Sequence, residues 1–143
     1  MAEAIAYYDP GADITCQHTA GAVGGRFVSY PVSRNAGGPS GISDTGDGVL
    51  IVTTPAANGS VFGVTSHDVA AGGKVNVMRG PKVVAVEAGA TVATIGTYIT
   101  TDNAGKAVTA TTGQLAVGRN LTVGASGSLM AVDLFGHGHV LAP

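Results

Sequence analysis

Two histidines near the carboxyl-terminal end of the sequence are the first candidates for chemistry. His137 and His139 are separated by one glycine, so both imidazoles would lie on one face of an extended strand, where zinc or nickel could bind them. Such a site needs two further ligands. The other possible ligands stand apart in the sequence: Cys16, His18 and His67. The pattern therefore predicts no metal site, and the glycine on each side of His137 indicates a flexible tail.

A second candidate is the adjacent pair His67-Asp68, since a carboxylate can orient an imidazole and raise its pKa for acid–base work. Adjacent residues on a strand point to opposite faces, however. In a turn, Asp68 is expected to accept hydrogen bonds from local backbone N–H groups. The Gly-x-Ser-x-Gly motif of a serine nucleophile is absent from the sequence.

The segment around Asp44, Asp47 and Gly48 has a superficial similarity to a calcium loop. It lacks the twelve-residue ligand set and the terminal glutamate, so a turn is expected there. Trimeric β-barrel nucleotide hydrolases have a similar length, but they need clustered Asp, Ser and Arg groups and an aromatic ring to stack the base. The sequence does not assemble that set. We expect no enzymatic activity and no cofactor.

The composition indicates one domain with an unusual surface. The chain has 143 residues, of which 11% are charged, and 23 are glycine, about twice the usual ~7%. Its mean hydropathy is positive at +0.32, which is the opposite of a disordered composition. Much of the surface is therefore expected to be covered by sister subunits or a larger assembly. A β-rich monomer with a surface of Thr, Ser and Gly is the alternative.

Charge and cysteine content indicate which binding partners to expect and in which cellular compartment the chain is made. The net charge is −2, and the basic residues form no cluster that could follow a phosphate backbone, so nucleic acid is not expected as a partner. No run approaches the roughly 18 apolar residues of a membrane span, so no membrane association is expected. The single Cys16 cannot close an intrachain disulfide, and residues 1–11 do not have the pattern of a signal peptide. Both features predict synthesis in a reducing cytoplasm.

Short β-branched runs separated by glycine-rich turns predict an all-β protein. The clearest strand is at residues 74–78, where Val75 and Val77 alternate with polar residues, and the segment 102–105 is a strong hairpin signal. No helical periodicity lasts longer than a turn or two. Turn signals every 8–12 residues favour a small barrel or sandwich. The predicted strands are residues 14–19, 26–30, 49–53, 61–64, 74–78, 83–86, 98–101, 106–109, 115–119 and 129–135.

The predicted organisation has three parts. Residues 1–13 form an extended arm, since Asp9-Pro10-Gly11 would end any helical turn before it. Residues 14–136 form the single barrel or sandwich domain, with a long loop at 33–48, and residues 137–143 form the flexible tail. Tyr7 and Tyr8 admit two interpretations: the arm docks as a strand on its own core, or it anchors the chain to a neighbouring protein.

Three segments resemble the capsid decoration (cement) proteins of tailed phages, particularly those that infect actinobacteria. Together they span most of residues 10–135 in the order of that family. Each is low in complexity, and the ordered set is the more specific signal. The segments are Pro10-Gly11 with Ile14-Thr15-Cys16 and TAGAVGGRFV at 19–28, VFGVTSHDVAAGGKV at 61–75, and GKAV at 105–108 followed by AVG at 116–118.

The resemblance implies a β-barrel-like subunit that forms a homotrimer over the threefold and quasi-threefold positions of an icosahedral shell. The implied partner is the major capsid protein, and the implied location is the outer surface of the phage head. It supplies no catalytic residues. We expect the arm residues Tyr7, Tyr8, Asp9 and Pro10 to contact the capsid. The alternative function is a receptor- or glycan-binding β-module of a tail fibre or head surface, which would need an exposed aromatic platform.

Overall fold

The computed structural model describes residues 13–34, 49–136 and 140–143, and in these ranges every regular element is a β-strand. The prediction of an all-β fold is confirmed. None of the described segments forms a helix with the length and apolarity that crossing a bilayer demands. In chain order the strands are β1 Ile14–His18, β2 Phe27–Ser29, β3 Ser33–Arg34, β4 Leu50–Val52, β5 Val61–Thr65, β6 Lys74–Met78, β7 Lys82–Glu87, β8 Tyr98–Thr101, β9 Ala107–Thr109, β10 Leu115–Ala116, β11 Gly118–Asn120, β12 Leu129–Leu134 and β13 Val140–Leu141.

The first sheet has six strands in the order β2-β5-β6-β1-β4-β3. Strand β1 lies inside this sheet, antiparallel to β6 and parallel to β4. Its side chains alternate, so Ile14 and Cys16 are buried while Thr15 is exposed. Strand β6 alternates in the same way and buries Val75 and Val77. Because side chains alternate between the two faces of a strand, one face of each strand is apolar and packs on the core.

The second sheet has five antiparallel strands in the order β7-β12-β11-β8-β9. It curls until its two edge strands meet at one end, where Ala88 and Ala107 form an isolated parallel bridge. The Gly89 N–H donates to the Ala107 carbonyl at 2.8 Å at the same place. The result is a curled half-barrel, in keeping with the predicted small barrel. A separate two-stranded ladder joins β10 to β13.

Two clusters of small apolar side chains form the core. The larger cluster fills the half-barrel and is capped by the first sheet, which contributes Phe27, Val61 and Val64. The smaller cluster lies on the first sheet and includes Cys16, Val52 and Val77. Valine dominates both clusters, and burying one valine contributes about 1.5 kcal/mol. Stability is therefore distributed over many small side chains.

The hairpin predicted at residues 102–105 is confirmed and docks the half-barrel on the first sheet. Asp102 Oδ1 accepts the N–H groups of Ala104 and Lys106, both at 2.8 Å, which closes the turn between β8 and β9. Gly105 has a φ of +75°, and a Cβ there would lie 2.6 Å from the Phe27 carbonyl oxygen. The Phe27 N–H donates to the Gly105 carbonyl at 2.7 Å. Only glycine fits this contact.

Three predicted boundaries need correction. The tail is not free over residues 140–143, because β13 pairs with β10 and Ala142 is buried. The strand predicted at 115–119 divides at Val117, since β10 pairs with β13 while β11 pairs with β8 and β12. The predicted loop at 33–48 begins with strand β3, which pairs with β4. The rest of that loop and residues 137–139 lie outside the described residues.

Candidate functional site

The pair His67-Asp68 is not an acid–base unit in the structure. His67 Nδ1 is 2.8 Å from the Ser66 hydroxyl oxygen. Asp68 Oδ1 accepts the backbone N–H of Gly24 at 2.8 Å. Asp68 does accept from a backbone N–H, but the prediction of a local donor is wrong, because the donor belongs to a turn 44 residues away in the sequence. Asp68 therefore ties two loops together.

The described residues bring together no group of three or more His, Cys, Asp or Glu side chains that could hold a metal ion. His137, His139, Asp44 and Asp47 lie outside the described residues. Cys16 is fully buried, and its burial raises the pKa of the thiol to about 11. Burial also lowers the pKa of His18, whose side chain is 2% exposed. Both side chains therefore belong to the packed interior as neutral groups.

The arm residues predicted to contact a capsid, Tyr7, Tyr8, Asp9 and Pro10, lie outside the described residues. The chain is described from Asp13 onward. Asp13 is 2.5 Å from the Lys82 ammonium and accepts the Asn76 side-chain amide at 3.0 Å. These bonds lower the pKa of the Asp13 carboxyl, the Lys82 hydrogen bond most. The amino-terminal segment therefore joins the fold beside the start of β7.

A group of three charged residues, the charged seam (Arg26, Glu87 and Lys106), connects the two sheets. The Arg26 guanidinium donates to Glu87 Oε2 through Nε at 3.0 Å and Nη2 at 2.8 Å. The Lys106 ammonium lies 2.8 Å from Glu87 Oε1. Hydrogen bonds from Lys106 and Arg26 lower the pKa of Glu87. The Glu87 carboxylate is thus satisfied from both sides and holds the half-barrel against the first sheet.

A different arrangement of arginines and aromatic rings lies on the surface, and we name it the arginine–aromatic face. It comprises Tyr30, Phe62, Arg79, Tyr98, Arg119 and Phe135. The rings of Tyr30 and Phe62 meet edge to face, with centroids 5.4 Å apart. The Arg79 guanidinium carbon lies 4.4 Å from the centre of the Phe62 ring. This distance is within the range of a cation–π contact.

The second half of the face repeats this chemistry on the other sheet. Arg119 and Tyr98 are opposite each other in the antiparallel register of β11 and β8, so their side chains share one face. The Arg119 guanidinium carbon lies 4.2 Å from the centre of the Tyr98 ring, and the guanidinium donates to the Tyr98 hydroxyl. The Phe135 ring lies 6.3 Å from the Tyr98 ring. Each arginine is therefore held over a ring.

A small cavity joins the two halves of the face. Its lining includes Phe62 and Arg79 from one half and Phe135 from the other, together with Gly80 and Gly136. Its volume is about 30 Å³, which is room for one or two water molecules. Arg79 Nε is buried and has no acceptor among the described residues. Arg79 therefore lines the cavity, but its Nε is covered by the surrounding atoms.

The electrostatics of the face differ from those of the rest of the described surface. The ion pairs there engage Arg26, Lys82 and Lys106. In the part of the chain that the structure describes, no carboxylate lies within 4.0 Å of the Arg79 or Arg119 guanidinium. Both guanidinium groups contact aromatic rings instead. Asp133 is opposite Arg119 in the register of β11 and β12, so Arg119 has a carboxylate as its cross-strand neighbour, although not within ion-pair distance.

The residues of this face were not singled out from the sequence. Tyr30 is 43% exposed, while Phe62, Tyr98 and Phe135 are half-buried. An arginine directly after a strand, as at Arg79, and one inside a strand, as at Arg119, were the available signals. Neither signal indicated that the arginine would lie over an aromatic ring.

No protein-family model and no curated protein matches this sequence. Among solved structures, the chain is similar to the N base of the head fibre protein gp8.5 of bacteriophage phi29. The two share 20% sequence identity and a TM-score of 0.65, and the match covers 86% of this chain and 92% of that one. The likeness thus extends over nearly the whole of both chains and establishes a shared fold.

Proposed function

We propose that this protein is a structural component of a phage head that binds the outside of the expanded shell as a homotrimer and stabilises it. The observation that carries the proposal is the fold it shares with a phage head fibre base over 86% of the chain. The resemblance of three sequence segments to capsid decoration proteins is the reason for proposing a shell-stabilising role within the head.

The physical properties of the chain suit this role. A protein that binds only the expanded lattice stabilises that lattice by mass action, so no chemical step is needed. A trimer over a threefold or quasi-threefold position contacts several copies of the major capsid protein, and multivalency lets each contact be modest. The small side chains and the 11% of charged residues suit large contacts between subunits.

The first experiment is to measure the stoichiometry of this chain in purified particles of the phage that encodes it. Roughly one copy per major capsid subunit is expected from trimers at threefold lattice positions. A handful of copies per particle would instead place the chain in the tail or portal. Absence from the particles would refute the proposal.

The arm is proposed to latch onto the shell through Tyr7, Tyr8, Asp9 and Pro10, because tyrosine combines a large contact area with a hydrogen-bonding tip. Deletion of residues 2–9 should weaken binding to heads while leaving the thermal unfolding of the domain unchanged. Asp13 stays in place in that variant and keeps its bond to Lys82. Unchanged binding would remove the arm from the proposal.

The alternative, a receptor- or glycan-binding module, has one observation in its favour, the exposed ring of Tyr30. The cavity beside that ring is about 30 Å³, far below the roughly 300 Å³ at which small-molecule sites begin. A wider depression of about 280 Å³ offers Phe27, which is 1% exposed. A robust hit on a glycan array would make this alternative the better proposal.

A further inference from the structure

We propose that residues 2–8 of the arm dock on their own chain as an additional strand, paired antiparallel with the free edge of β7. Three features of the molecule carry the proposal: an unpaired strand edge, a groove beside that edge, and the place where the arm joins the domain. Docking of this kind needs no phage head, so it is independent of the proposed function.

Strand β7 is an edge strand of the second sheet, and part of its backbone faces away from the sheet. The Ala131 carbonyl of β12 accepts from the residue that follows β11, so Ala85, which is opposite Ala131, directs its backbone groups to the free edge. The same period of two directs Val83 and Glu87 outward. The Glu87 N–H donates to the Gly25 carbonyl at 2.8 Å. Among the described residues, no backbone group pairs with Val83 or Ala85 on this side.

The free edge of β7 lacks the features that usually protect an edge strand. Val83 is 56% exposed, and Ala85 is also exposed. The charged residues at the two ends, Lys82 and Glu87, form ion pairs within the chain. The strand contains no proline, and its register with β12 has no bulge. Proteins protect edges by charge, proline, bulges or a covering segment, so a covering segment is the remaining means of protection here.

A groove of about 350 Å³ lies beside this edge. One wall is β7, and the other includes Thr65 and Met78, the last residues of β5 and β6. Leu129 of β12 lines the same groove and is 63% exposed, so the groove presents apolar surface. A strand added here would cover Val83 and Leu129 while its backbone pairs with β7. Extended peptides bind sheet edges in this way, with affinity from the backbone and specificity from the side chains.

The arm is the occupant because it joins the domain where β7 begins. Asp13 lies 2.5 Å from the Lys82 ammonium, and Lys82 is the first residue of β7. Residues 9–12 span up to about 13 Å when extended, and Pro10-Gly11 favours a turn, so the preceding residues can lie along the edge. The arm then runs toward Lys82, antiparallel to β7. Its covalent attachment gives it a high effective concentration at this edge.

The sequence of the arm suits an added strand. Seven of its first eight residues, MAEAIAYY, are apolar, and Glu3 is the only charged one. Side chains alternate along a strand, so Tyr7 and Tyr8 face opposite ways. One ring packs into the groove, and the other remains exposed for the proposed contact with the shell. Docking on β7 therefore orients the arm for the shell instead of withdrawing it.

The decisive experiment measures amide hydrogen exchange by NMR in the full chain and in the variant that lacks residues 2–9. The amides of Val83 and Ala85 should exchange about tenfold more slowly in the full chain. Those of Val84 and Val86, which face β12, should exchange equally in both. Equal exchange of Val83 and Ala85 in the two proteins would overturn the proposal. Pairing at a chain end opens before the domain unfolds, so exchange is compared well below the Tm, and the Tm itself should not change.

A matched pair of substitutions tests the groove. Leu129→Ser removes apolar surface that the arm would cover, so the exchange of Val83 and Ala85 should become several-fold faster. Ile95→Ser is the control: Ile95 is also 63% exposed, but it does not line the groove, so exchange should stay as in the wild type. Thermal unfolding verifies that both variants are folded. Faster exchange in both variants, or in neither, would overturn the assignment of the groove.

A mixing experiment identifies whose arm is docked. Isotopically labelled chains that lack residues 2–9 are mixed with an excess of unlabelled full chain, without heads. The labelled amides of Val83 and Ala85 should keep their fast exchange, because each arm docks on its own chain. Recovery of slow exchange would show that the arm crosses to a second copy and would overturn the proposal.

The outcomes also separate this proposal from the proposed function. Slow exchange of Val83 and Ala85 in a chain that is absent from phage heads would support the docked arm and refute the proposed function. Fast exchange in a chain that coats heads would refute the docked arm and leave the proposed function intact.

Discussion

Arginine serves two purposes in this molecule, and the charged seam and the arginine–aromatic face show them side by side. In the seam, Arg26 makes two hydrogen bonds to Glu87, whose side chain is only 17% exposed. On the face, Arg79 and Arg119 lie over aromatic rings with no carboxylate within 4.0 Å among the described residues. The same side chain is held by a carboxylate in one region and by aromatic rings in the other.

The difference concerns how each group of charges contributes to stability. The seam joins two sheets whose strands are distant in sequence, so its charges are satisfied within the chain and contribute to folding. On the face, aromatic rings hold the guanidinium groups in position, with no carboxylate of the described residues within 4.0 Å. We therefore expect substitutions in the seam to lower the free energy of unfolding more than substitutions on the face.

The largest effect is expected from the hairpin that carries Lys106 into the seam. Gly105→Ala introduces a Cβ 2.6 Å from the Phe27 carbonyl oxygen at a φ of +75°, which should cost about 3 kcal/mol in the free energy of unfolding. Gly113→Ala is the matched control: its φ is +83°, but nothing lies within 4 Å of its Cβ, so about 1 kcal/mol is expected. Urea denaturation measures both. Equal losses would mean that the contact with Phe27 does not matter.

The next effect is expected from the centre of the seam. Glu87→Gln removes the charge that Arg26 and Lys106 share and should lower the free energy of unfolding by about 2 kcal/mol. Asp133→Asn removes an exposed carboxylate from the face and should change it by less than about 0.5 kcal/mol. A loss for Asp133→Asn as large as that for Glu87→Gln would break the distinction between the two regions.

The pH dependence of stability sharpens the same contrast. The pKa of Glu87 is lowered from its ordinary value of 4.5 by the Lys106 and Arg26 hydrogen bonds. The stability that Glu87 contributes is therefore fully present above pH 4.5 and is lost as the pH falls through the lower pKa of the folded state. The difference in Tm between wild type and Glu87→Gln should shrink from pH 6 to pH 3. Asp13 and His18 are present in both proteins, so their titration cancels in the Tm difference. A Tm difference that stays constant from pH 6 to pH 3 would exclude the ionisation of Glu87 as the cause of that difference.

The smallest effect on stability is expected from the face. Arg79→Gln should lower the free energy of unfolding by less than about 1 kcal/mol, which is the size of a cation–π contact such as the one with Phe62. Thermal unfolding tests this directly. A loss of the size expected for Glu87→Gln would show that Arg79 contributes as much to folding as the charged seam does.

The sequence was sufficient to predict most strands, because their signals are local. Strand β6 has the predicted bounds of 74–78, since Val75 and Val77 alternate with polar residues over an apolar core. The hairpin at 102–105 follows from its own turn residues. Strands β3 and β13 were not predicted. Each has two residues and is defined by its hydrogen bonds to a strand distant in the sequence. A local sequence pattern therefore does not predict it.

The candidate site could not be predicted, because its parts come from different strands. Arg119 meets Tyr98 only through the register of β11 and β8. Phe62 and Phe135 line one cavity, although Phe62 is in β5 of the first sheet and Phe135 directly follows β12 of the second. Periodicity indicates which side chains face outward, but it carries no information on which outward side chains become neighbours.

The position of β1 also has a consequence for synthesis on the ribosome. Strand β1 is translated before both of its neighbours, β4 and β6, and β6 ends at Met78. At roughly 5–20 residues per second, β6 leaves the exit tunnel several seconds after β1. During that interval Ile14 and Cys16 have no antiparallel partner to cover them, whereas β8 and β9 can pair as soon as both have emerged. The newborn chain therefore exposes its first strand to chaperones longest, and arrested chains that end before residue 74 should be the most sensitive to proteolysis.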